Sequence, residues 1–143
     1  MTPQRVTLIT LGVADLERAK TFYAALGWTP TREVEGQVVF YQINGMALGF
    51  FGLGSLAKDQ GRPDAQLGVG AMTLAQNFNT EAEVDAAYKT AIEAGAAVLK
   101  EPQKVFWGGY SGYYADPDGH VWEVAHNPFW PLNEDGSLTL PPE

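Results

Sequence analysis

A carboxylate set inside an apolar strand is the feature of this chain best suited to chemistry. Glu123 stands between Val121-Trp122 and Val124-Ala125. Strand alternation puts Val121, Glu123 and Ala125 on one face and Trp122, Val124 and His126 on the other. A buried carboxylate is costly unless a cation, a metal or hydrogen-bond donors meet it, and Glu is rarely buried unpaired. The residue type therefore points to an anchor for a ligand's polar group. It also suits a general base, since desolvation raises a carboxyl's pKa and lets it take up a proton. The alternative is an edge-strand glutamate facing water.

The residues before it supply a second kind of chemistry. Phe106, Trp107, Tyr110 and Tyr113 surround the pair Gly108-Gly109, where backbone can be approached closely. Aromatic walls with a few polar points suit a small planar molecule, although rings are also ordinary core material. Asp116-Pro117-Asp118-Gly119 is turn chemistry, with Pro presetting φ and Gly ending the turn. The spaced ligands and closing Glu of a calcium loop are absent. Of the two histidines, His120 belongs to this turn and His126 points away from Glu123 by parity. With no cysteine in the chain, thiolate catalysis, disulfides and zinc–sulfur sites are excluded.

Composition limits the partners. The 143 residues carry a net charge of −8, with nine scattered Lys and Arg, so a phosphate backbone would be repelled and nucleic-acid binding is not expected. No apolar run approaches the roughly 20 residues of a membrane-spanning helix, and the N-terminus lacks a signal-peptide pattern. The expectation is a cytoplasmic protein without a membrane partner.

The elements that must position these residues repeat a pattern. A strand over residues 6–11, broken by Gly12, leads to a helix N-capped by Asp15, with Leu16, Ala19, Phe22, Tyr23 and Leu26 at helical spacing and Gly27 as its stop. Strands at 29–34, 38–43 and 46–51 follow, with Asn44-Gly45 as a hairpin signal. The unpatterned stretch 52–67 reads as a linker or mobile loop. A strand at 69–76 then precedes a helix opened by the capping box Thr80–Glu83 and closed at Gly95. Strands at 97–100, 110–115 and 120–125 complete the second set. The helix-ending glycines lie 95 − 27 = 68 residues apart. The domain plan is a first module over residues 5–52, a linker over 53–67, a second module over 68–126 and an irregular tail over 127–143, whose Phe129-Trp130 pair packs on the body or on a partner.

This order, the opening Gly12-Val-Ala-Asp-Leu-Glu-Arg-Ala-Lys-Thr-Phe-Tyr, and Asp116-Pro-Asp-Gly-His-Val-Trp-Glu resemble the vicinal oxygen chelate superfamily, which includes glyoxalase I, extradiol dioxygenases, fosfomycin-resistance enzymes and bleomycin-binding proteins. The resemblance covers residues 5–128 and implies an α+β fold: two βαβββ modules forming a curved mixed sheet with helices on its convex face and a ligand cavity on the concave one. It also implies a homodimer. In metal-dependent members, a Glu at the place of Glu123 is a metal ligand. The companion positions depart from that pattern: Leu8 stands where a His is usual, the strand 46–51 holds no ligand-type side chain, and near residues 71–76 only Gln76 can coordinate. A metal held by one carboxylate would be weak, so no metal or other cofactor is expected, with Glu123 the one ligand if there is any.

The leading expectation is a metal-free binder of a small planar or aromatic molecule. Glu123 would be its polar anchor, with Phe50, Gln76, Trp107, Tyr110 and Tyr113 lining the site. The alternatives are a lyase, isomerase or dioxygenase-type enzyme with Glu123 as general base or metal ligand, and an interaction module whose aromatic residues only pack a dimer.

Overall fold

The computed structural model describes residues 1–142; Glu143, the last residue of the expected tail, lies outside them. The chain divides into two compact units, Met1–Gly68 and Val69–Glu143. Each is a four-stranded mixed sheet with helices, so the fold is α+β.

In the first unit, β1 (Leu8–Val13) leads into α1 (Leu16–Ala25), followed by β2 (Arg32–Val34), β3 (Val38–Ile43) and β4 (Met46–Gly52). The strand order is β1-β4-β3-β2, with β1 parallel to β4 and the other pairs antiparallel. Asp15 caps α1 as expected, accepting from the Arg18 N–H at 3.1 Å. One face of the sheet buries Leu11, Val13, Val39, Tyr41, Leu48 and Phe50, with Ala19, Phe22 and Tyr23 buried on α1. Tyr23 stacks on Phe50, ring centroids 4.6 Å apart, and Tyr41 meets Phe50 edge-on.

Two expectations are corrected here. Gly12 does not break β1: it pairs with Phe51 inside the ladder. The stretch 52–67 also holds a helix, α2 (Leu53–Asp59). The two facts are connected, because a β-carbon at Gly12 would lie 2.7 Å from Leu53 Cδ2 and 3.2 Å from Leu56 Cδ2. The missing side chain is what lets α2 settle on the strand.

The second unit repeats the order with β5 (Thr73–Asn77), α3 (Glu81–Glu93), β6 (Ala97–Lys104), β7 (Tyr110–Ala115) and β8 (Val121–His126). Its strand order, β5-β8-β7-β6, matches that of the first unit. The Thr80 hydroxyl caps α3, accepting from the Glu83 N–H and donating to the Glu83 carboxylate. Val84, Tyr88 and Ala91 bury the inner face of α3, and Tyr88 and Tyr114 meet edge-on. β6 runs four residues beyond the expected Lys100 because two register irregularities, between Val98 and Lys100 and between Lys100 and Gln103, let it stay paired with β7.

Candidate functional site

The hairpin β7–β8 positions Glu123, and its turn is held by one side chain. The Asp116 carboxylate, buried at 4% exposure, accepts from the N–H groups of Asp118 and His120, both at 2.9 Å. Its backbone N–H bonds His120 O, and Gly119 N–H returns to Asp116 O. This closed turn fixes the register Ala115↔Val121, Tyr114↔Trp122 and Tyr113↔Glu123.

Register then assigns the faces. Tyr114 packs on Tyr88 of α3, and Tyr110 donates to Asp85 Oδ1 of the same helix at 2.7 Å. Residues 110, 112 and 114 therefore face α3, along with their partners His126, Val124 and Trp122. The opposite face, which carries no helix of this unit, presents Ser111, Tyr113 and Ala115 beside Ala125, Glu123 and Val121. β5 adds Ala75 opposite Glu123, with Thr73 and Asn77 on either side. Across β6, Lys100 pairs with Tyr113 and Gln103 with Ser111. One row of this face thus reads Lys100, Tyr113, Glu123, Ala75.

Glu123 and Tyr113 are half-buried neighbours. Burial first, then the Glu123 charge and a hydrogen bond to Glu123, push the Tyr113 phenol above its ordinary pKa. The phenol stays protonated beside the carboxylate. That pair can hold a ligand's donor group, or serve as a base beside a neutral acid.

The expected site residues separate. Glu123 and Tyr113 come together, whereas Gln76 pairs with Val124 and lies on the α3 face, as does Tyr110, whose hydroxyl is engaged by Asp85. Phe50 is fully buried in the first unit between Tyr23 and Tyr41, as core rather than as a wall. Gln76 and Tyr110 thus take the sheet face opposite Glu123, and Phe50 belongs to the core of the first unit. Trp107 folds over Gly109, where a β-carbon would collide with its Cζ3, and keeps 37% of its surface exposed. Phe106 is fully exposed. Phe129 touches Gly108 but remains 65% exposed, so the tail pair packs only partly on the body of its unit. Lys100 was missed by sequence reasoning; only the register of a bulged strand reveals its place.

The metal positions of the resembling family can be tested against this geometry. Leu8 pairs with Ala47, Gly49 with Thr10 and Thr73 with Val121; none of these six residues is a His, Asp or Glu. Among the described residues no group of three His, Cys, Asp or Glu side chains is arranged to hold a metal ion. His126 is turned to Phe78 O, 3.0 Å from its Nδ1. The residues present do not fit a chelated metal.

With the fold and site in view, comparison with known proteins is decisive. The profile of the Glyoxalase/Bleomycin resistance protein/Dioxygenase superfamily matches residues 5–124. The chain belongs to this superfamily. A glyoxalase-related enzyme from Fulvimarina pelagi is 40% identical over 96% of this chain and 99% of its own, with a TM-score of 0.90. A hypothetical protein from S. aureus is 26% identical over 89% and 96%, with a TM-score of 0.73. A lactoylglutathione lyase from Agrobacterium tumefaciens is 25% identical over 92% and 100%, with a TM-score of 0.69. No curated protein matches the chain. No helix of the described residues is long and apolar enough to cross a membrane.

Proposed function

We propose that this glyoxalase-superfamily chain binds a small planar or aromatic organic molecule on the helix-free face of its second sheet. The ligand is held by Glu123 and Tyr113 without a chelated metal. The observation that carries this reading is the direct pairing of Tyr113 with Glu123 on a face whose neighbouring positions are small: Ala75, Ser111, Ala115 and Ala125. Ser111, Ala115 and Ala125 are themselves buried, and the half-buried carboxylate among these short side chains supplies the polar point that orients a ligand. The departure of Leu8, Gly49 and Thr73 from ligand-type residues supports a metal-independent mode.

A second reading is favoured by the same pair. A carboxylate beside a phenol kept neutral can exchange a proton with a bound substrate, as a lyase or isomerase requires. The name of the 40%-identical relative, a glyoxalase-related enzyme, points the same way. A homodimer belongs to either reading and is tested by sedimentation.

A thermal-shift screen of planar aromatic compounds against the protein and Glu123→Gln tests the proposal. Binding that depends on Glu123 and yields no product supports the binder. Turnover lost in Glu123→Gln supports the enzyme. Ligands that stabilise both proteins equally contradict both readings.

A further inference from the structure

The row Lys100, Tyr113, Glu123 places a cation, a phenol and a carboxylate side by side on three adjacent strands. Lys100 shares the Tyr113 face as that residue's direct partner in the β6–β7 ladder. Every other position that register puts on this face is uncharged. Lys20, Lys89 and Lys104 are each tied to a glutamate, whereas Lys100, like Lys58 of the first unit, is in no ion pair among the described residues, and it is exposed. In a chain with 17 acidic and nine basic residues, an ammonium group with no carboxylate partner beside the candidate site is a placed charge.

We propose that Lys100 is a second anchor of this site and sets its ligand class: an amphoteric planar molecule, with an anionic group at Lys100 and a cationic or hydrogen-bond-donating group at Glu123. This rests on the binding reading given above. Two strand steps of about 4.8 Å separate the Lys100 and Glu123 backbones by about 10 Å, which flexible side chains can shorten. A single aromatic ring bearing its two polar groups at opposite ends spans that gap, lying across Tyr113. Ammonium-to-carboxylate bonds at both ends are of the stronger, charge-assisted kind.

Calorimetric titration with 4-(aminomethyl)benzoate, benzylamine and benzoate separates the two anchors. The two-ended probe binds at least about tenfold tighter than benzylamine. Lys100→Gln removes that advantage and leaves benzylamine binding unchanged, while Lys100→Arg retains most of it. A two-ended probe no tighter than benzylamine, or an advantage that survives Lys100→Gln, overturns the role of Lys100. In that case, benzylamine binding that weakens in Glu123→Gln leaves the parent reading standing. If benzylamine binds neither the protein nor Glu123→Gln, or binds both equally, the parent reading falls and this inference with it.

Discussion

Tyr113 and Glu123 are direct partners across β7 and β8, on the face of the second sheet that α3 does not cover. Their neighbours in sequence, Tyr114 and Trp122, are also direct partners and are buried against α3. A single hairpin thus sends its large rings into the core and its phenol–carboxylate pair to the other side. The Asp116 turn sets that division, since a slip of one residue would exchange the two faces.

The turn carries a stability prediction. Asp116→Ala removes the acceptor for two backbone N–H groups in a buried setting, and should destabilise the protein by about 2–4 kcal/mol. Asp116→Asn, which keeps one carbonyl oxygen, should recover part of that loss. Denaturant titration of the two variants measures the difference.

Tyr41 predicts the opposite sign. Its hydroxyl is buried in the aromatic cluster of the first unit, with no hydrogen-bond partner among the described residues. Tyr41→Phe removes an unsatisfied polar atom and keeps the ring, so stability should be unchanged or higher by up to about 1 kcal/mol. A loss of more than that in thermal unfolding would show that the hydroxyl is engaged.

Alkaline pH should unfold the protein. Burial raises the phenol pKa values of Tyr41, Tyr88, Tyr113 and Tyr114, and the bond to Asp85 raises that of Tyr110, all from an ordinary value of 10.0. A raised folded-state value means that the unfolded chain gives up its protons first. The stabilisation is therefore complete below pH 10 and is lost as pH climbs above it. Ultraviolet titration should show these tyrosines ionising together with loss of the near-ultraviolet circular dichroism, rather than one by one beforehand.

Gly109 predicts a local effect. A side chain there must displace the Trp107 indole, so Gly109→Ala should shift tryptophan emission and lower stability by about 1–3 kcal/mol. An unchanged emission spectrum would show that the ring does not rest on Gly109.

Much of this was legible in the sequence, because the signals were periodic or stereochemical. Asp15 and the Thr80–Glu83 pair marked the helix starts, and Gly27 and Gly95, with φ of 94° and 111°, marked their ends. Alternation correctly gave the face of Glu123. Tyr110 and Tyr113 differ by an odd number of positions in one strand, so they cannot share a face. Gln76 lies on the α3 side because the parallel register pairs it with Val124 rather than with Glu123, a long-range pairing outside the reach of local patterning. α2 was invisible because its N-cap, Gly52, has no side-chain bond and its hold on Gly12 is tertiary. Lys100 was hidden by two irregularities that no local rule predicts.

The central claim is that Glu123 anchors an organic ligand without a chelated metal. Calorimetric titration of the best compound from the thermal-shift screen, with and without excess chelator, into the protein and Glu123→Gln tests it most directly. Affinity should be indifferent to chelator and at least about tenfold weaker in Glu123→Gln, the loss of one charge-assisted hydrogen bond. Binding abolished by chelator, or untouched by the substitution, would contradict it.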